Sequence, residues 1–92
     1  MIVRIATEGQ YQLPDEHAGQ LNDLDNEAVA AVEADDEDSF HEAFESMLDL
    51  VRREGRPVED DELEGSDVIL PPPDTTFVEA AAEFTGDGLI PD

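Results

Sequence analysis

Apolar and polar positions alternate only at the start of this chain, and further along the apolar positions recur at intervals of three and four. Over residues 1–5, Met1, Val3 and Ile5 share one face, Ile2 and Arg4 share the other, and β-branched residues dominate, which predicts a first strand. Ala6-Thr7-Glu8-Gly9 supplies a turn, and Gln10-Tyr11-Gln12-Leu13 alternates again before Pro14. The expected element is a β-hairpin with a loop slightly longer than the tightest type. Asp15 is then placed to cap a helix whose apolar stripe is His17, Leu21, Leu24, Ala28, Ala31 and Val32. Asn22, Asp23, Asn26, Glu27 and Glu33 fall on the opposite face.

A second helix follows Asp35-Asp36-Glu37-Asp38, where acids suit the positive end of the helix dipole. Its stripe is the cleanest in the chain, with Phe40, Ala43, Phe44, Met47, Leu48 and Val51. Arg52 and Arg53 occupy its last turn, and Gly55 is expected to end it in a left-handed conformation. So short a link between the helices predicts an antiparallel helix hairpin. Residues 56–67 read as a loop broken by Pro57 and rich in acids. Val68-Ile69-Leu70 reads either as a buried strand or as an extended anchor, stopped by Pro71-Pro72-Pro73. Thr76 and Glu79 have the spacing of a capping box, predicting a short third helix with Val78, Ala81 and Ala82 turned inward. The expected fold is a single α+β domain over residues 1–92, a β-hairpin with or without a third short strand, packed on the helix hairpin and the C-terminal helix.

Charge changes the picture of the surface more than that of the fold. There are 26 acidic residues against four basic ones, a formal charge of -22, and all four cations are arginine: Arg4, Arg52, Arg53 and Arg56. At molar salt the screening length falls to roughly 3 Å, so such a surface is comfortable in brine and self-repelling in dilute buffer. The composition therefore predicts a protein of a salt-rich cytoplasm. Disorder is opposed by the 39% hydrophobic content and by its periodicity. The chain has no cysteine, which excludes disulfides and thiolate metal sites. The start MIVRIATEG turns polar too soon for a signal peptide, and no apolar run reaches the length of a membrane span, so direct membrane insertion is not expected.

Candidate chemistry is sparse. With so many carboxylates, some pair will always have a catalytic spacing, so spacing alone identifies no acid–base couple. Glu37, His41 and Glu45 would stack along one helix face, a column short of a fourth ligand and of shelter, and therefore read as surface charge rather than as a metal site. His17 is expected at the edge of the helix-hairpin core. Residues 35–39 resemble the opening of a calcium loop but lack its central glycine and its twelfth-position glutamate, which here is Ser46. No phosphate loop, nucleophile elbow or other catalytic pattern exists, so neither catalysis nor a cofactor is expected. Four arginines are too few to neutralise a nucleic-acid backbone. Partner binding remains, with Arg52, Arg53 and Arg56 as a cationic spot able to orient an acidic partner. Their alternative role is pairing with Glu54 and Glu59. Two apolar segments, Val68-Ile69-Leu70-Pro71 and Leu89-Ile90, serve either to close a small core or to dock on another protein.

The stretches MIVRI-ATEGQY, LNDLDN, SDVILPPPD and GLIP together resemble the PspA-associated proteins, PspAA, along essentially the whole chain. The resemblance implies a non-enzymatic accessory of a phage-shock-type envelope stress response, acting on a PspA- or Vipp-like coiled-coil protein. It implies no functional residues. The acidic surface fits a haloarchaeal member and opposes direct contact with anionic headgroups at low salt. A different reading makes the chain an acidic mimic that occupies the nucleic-acid surface of a DNA-binding regulator, with residues 35–38 and 59–64 as its phosphate-like runs.

Overall fold

In a computed structural model, which describes residues 1–58, 65–82 and 84, Ile2–Ile5 (β1) and Gly9–Gln12 (β2) pair antiparallel. Their register, Ile5 opposite Gly9, leaves Ala6-Thr7-Glu8 as the loop, closed by the Glu8 amide donating to the Ile5 carbonyl at 2.9 Å. Thr7 and Gly9 take the positive φ values of 73° and 131° that such a turn requires. Val3 and Ile5 are buried and Arg4 is exposed, as their alternation predicts, but Ile2, which shares the Arg4 face, is buried as well.

Two more strands complete the sheet. Val68–Leu70 (β4) runs parallel to β1, with Val3 opposite Val68 and Ile5 opposite Leu70, so the buried-strand reading holds. Arg56–Pro57 (β3), expected as loop, pairs instead with β2, and the Val58 amide extends the ladder by donating to the Gln10 carbonyl at 2.9 Å. Two residues are too few to show a period, and Pro57 needs no amide on an edge strand. The sheet order is β3-β2-β1-β4.

Between β2 and β3 lie Ala18–Glu33 (α1) and Glu37–Glu54 (α2), packed against each other as the predicted hairpin. Asp15 does not cap α1: Asp15–His17 forms a 3-10 turn and no side chain caps either start. Pro14 holds the chain extended there, so the turn winds tightly before the α-helix begins. Asp36 does cap α2, accepting from the Ser39 amide at 3.2 Å and the Ser39 hydroxyl at 2.8 Å. Every apolar position expected on the α2 stripe is buried, and Leu50 joins them. Gly55 ends the helix in extended geometry, φ −85° and ψ 152°, rather than left-handed. What requires glycine is proximity, because a Cβ here would collide with the Val51 carbonyl oxygen and stand 3.1 Å from Tyr11 Cβ.

Phe77–Ala81 (α3) carries the predicted capping box, Thr76 and Glu79 each bonding the other's backbone amide. Its inward face is not the expected one. Val78 is 80% exposed and Ala82 exposed, whereas Ala80 is buried and Phe77 and Phe84 reach the core. Phe40 is the hub of that contact, with the rings of Phe44, Phe77 and Phe84 at 5.6, 5.6 and 5.2 Å. One core thus joins the inner sheet face (Val3, Ile5, Val68, Leu70) to all three helices.

Candidate partner-binding surface

The three arginines expected to form one cationic spot are placed by the C-terminal end of α2 and the strand after it. Arg52 projects toward the hairpin loop, where its Nε and Nη2 donate to the two carboxylate oxygens of Glu8, the Nε bond measuring 3.0 Å. This fork holds the Arg52 proton more firmly than usual, raising its pKa, chiefly through the Glu8 hydrogen bonds. Arg53 Nε donates to the neighbouring Glu54 at 3.1 Å, and the same carboxylate approaches His17 Nε2 at 3.3 Å. Arg56 donates to Gln12 Oε1, a neutral partner, at 2.9 Å. The expected pairing with Glu54 is present for Arg53; Glu59 lies outside the described residues. The Arg52 partner, Glu8, gives no local signal in sequence, being 44 residues away on the hairpin loop.

The apolar candidates separate from this spot. Val68, Leu70 and Pro71 are buried, which closes the core, while Ile69 is 58% exposed on the other side of β4. Because β3 and β4 are the outermost strands, Arg56 and Val68–Leu70 stand at opposite edges of the sheet. Leu89 and Ile90 lie outside the described residues.

Pleating assigns the remaining positions. With Val3, Ile5, Val68 and Leu70 turned to the helices, Ile2, Arg4, Gln10, Gln12, Arg56 and Ile69 alternate onto the outer face. None of the four strands contains an acidic residue, although acids make up 26 of the 92 residues. Arg4 is exposed and has no carboxylate partner among the described residues, and Arg56 has only Gln12. The sheet therefore holds the two cations that no described carboxylate neutralises, and both lie on its outer face.

Other candidates resolve into surface chemistry. His41 Nε2 lies 3.6 Å from Glu37 and its ring edges Phe40 at 5.5 Å. Among the described residues no cluster of three or more potential metal ligands forms. His17 sits half-buried at the rim of the helix pair, as expected. Of the acid runs invoked for nucleic-acid mimicry, residues 59–64 lie outside the described residues and Asp36 is occupied in capping, its pKa lowered mainly by the Ser39 hydroxyl. Asp25 is fully buried on α1, and no described buried side-chain polar atom lacks a hydrogen bond. It follows Leu21 by four and precedes Ala28 by three, so the stripe itself marks the position. An open groove of about 540 Å³ between α1 and α2 is lined by Leu24, Ala31 and Ala43 and edged by Glu27 and Glu42.

Compared with known proteins, the chain matches the family described as PspA-Associated protein, PspAA, over residues 1–92. No curated protein and no solved structure matches it. Among the described residues no helix is long and apolar enough to cross a membrane.

Proposed function

The chain belongs to the PspA-associated protein family over its whole length, and from that premise we propose that it is a non-enzymatic binding module acting on a PspA-like coiled-coil protein in a salt-rich cytoplasm. The single observation that carries this reading is the extent of the match, which covers residues 1–92. The charge supports the setting, since molar salt shrinks repulsion among 26 carboxylates to nearest neighbours. A module of this kind needs a surface and no reaction centre, which agrees with side chains spent on core, caps and ion pairs.

Affinity capture tests the reading. The tagged chain, held at multimolar KCl, is expected to retain the full-length PspA-family protein of the same organism in a saturable way. Failure to retain it at any salt between 0.5 and 4 M would overturn the assignment.

A further inference from the structure

On the binding reading above, we infer that the groove between α1 and α2 seats a helix of the partner, and that this helix carries Lys or Arg on both flanks of an apolar stripe. The walls of the groove run from Leu24 to the Ala34 cap of α1 and from the Asp36 cap of α2 to Ser46, about 15 Å each at a rise of about 1.5 Å per residue. Half-buried Leu24 and the buried Ala31 and Ala43 form its floor. Composition marks this groove off from the rest of the helix pair: from residue 23 to residue 49 every exposed position is Asp, Asn or Glu except Ala30, Ala34, Ser39 and Ser46, and all four line the groove. Covering these small side chains strips water from no carboxylate, whereas covering the other exposed faces of the pair would desolvate several. Their size also lets a second helix come close.

The walls select the shape of the occupant. Both are helices whose main-chain groups bond internally, so an extended segment laid between them would leave its own amides and carbonyls unpaired. A helix pairs its own. The groove, about 540 Å³, is open to solvent, and a small molecule lying in it would stay largely uncovered. Charge selects the flanks. Glu27 lies seven residues before Ala34 and Glu42 six after Asp36, so across the helix hairpin they stand nearly level on opposite rims, and neither carboxylate has a partner among the described residues. Asp36 is held by Ser39, and no cation lines the groove. With a screening length of about 3 Å at molar salt, the two rim carboxylates act only on cations seated directly against them, one on each flank of the stripe. A second copy cannot supply these cations, because its helical ones, Arg52 and Arg53, lie at the end of α2 and are bonded to Glu8 and Glu54.

Titration against the full-length PspA-family protein of the same organism, at multimolar KCl, tests this with variants of the rim, the lining and the surface outside. Glu27→Arg and Glu42→Arg are each expected to weaken binding about fivefold or more, with thermal midpoints near wild type. Ala30→Leu combined with Ser46→Leu fills the groove without changing charge and should weaken it about tenfold or more. Glu33→Arg and Glu45→Arg, exposed on the same helices but outside the groove, should change it less than about twofold. A photocrosslinking residue at position 42 should link to a partner segment that carries Lys or Arg beside apolar residues, and one at position 69 on the sheet should not, which keeps the test informative if a variant fails to fold. Wild type that binds while rim, lining and outside variants bind alike would overturn the inference and leave the binding reading intact, as would a position 42 adduct on an acidic partner segment. Wild type that does not bind overturns that reading instead. A position 42 adduct within the same chain, or on a second copy, would assign the groove to this protein itself and overturn the inference as well.

Discussion

A methyl group at residue 55 measures how tightly the end of α2 is pressed against the hairpin. Since a Cβ there collides with the Val51 carbonyl oxygen and crowds Tyr11, Gly55→Ala is expected to destabilise the fold by about 1–3 kcal/mol through forced backbone shift. Urea unfolding at multimolar KCl reads this directly, and an unchanged midpoint would refute it. The glycine was legible in sequence as a helix terminator, but its reason was not, because proximity to Tyr11 is a tertiary fact. Asp36 is the opposite case, a residue whose role is visible from its position. The Ser39 hydroxyl and amide hold its carboxyl below the ordinary value of 3.8. A depressed folded-state pKa contributes stability that is complete above the unfolded-state value and is lost as pH falls through the folded one. The difference in thermal midpoint between wild type and Asp36→Ala should therefore be constant from pH 5 to 8 and shrink below about pH 4. Asp36→Asn, which keeps an acceptor, should retain most of the cap across that range. A difference that persists unchanged well below pH 3 would show that the charged cap is not its source.

At the scale of elements, α3 is the part most dependent on what lies outside it. Five residues are far below the dozen or so at which an isolated helix becomes even marginal in water, so its cap and its aromatic anchor hold it in place. Thr76→Ala removes the capping box and should cost about 1 kcal/mol. Phe84→Ala removes a fully buried ring that edges both Phe40 and Phe44, and should cost about 3–5 kcal/mol, a large share of a small domain's stability. Hydrogen exchange at the Ala80 amide, which donates to the Thr76 carbonyl at 2.9 Å, distinguishes the two: faster with α2 amides unchanged for Thr76→Ala, faster throughout for Phe84→Ala. The same element shows where sequence reasoning stops. Its start is legible because a cap is local, but fewer than two turns cannot define a face, so the spacing puts Val78 inward and gives no sign of Phe84, beyond the helix. The α2 stripe, five turns long, left no such ambiguity. β3 was invisible for a related reason: a two-residue strand exists only through its pairing with Tyr11 and Gln12, more than forty residues earlier. The candidate surface inherits that blindness. Arg52, Arg53 and Arg56 are neighbours in sequence, yet Glu8 and Glu54 take the first two, and only the sheet order brings Arg56 onto one face with Arg4 and Ile69.

For the molecule as a whole, the governing length is the radius of gyration, 12.6 Å. In about 10 mM salt the screening length is about 30 Å, so each charge interacts with every other across the domain; at 1 M it is about 3 Å, and only contacts such as Arg52 with Glu8 survive. Repulsion summed over a net charge of -22 opposes the compact state most strongly where screening is weakest, because unfolding moves the carboxylates apart. The thermal midpoint is therefore expected to climb steeply from low salt to about 1 M KCl. Screening alone predicts a plateau beyond that point and equal effects of KCl and NaCl, since both set the same ionic strength. A continued rise into multimolar KCl, or a clear preference for one cation, would mean that hydration or ion binding at the carboxylates adds to screening. A midpoint that stays flat from 10 mM upward would contradict the electrostatic account altogether. The sheet adds an internal check. Adding acids to its outer face through Arg4→Glu should steepen the low-salt dependence, because it removes one of the four cations. That steepening should disappear above 1 M, where the screening length of about 3 Å leaves the exposed position 4 with little influence on distant carboxylates.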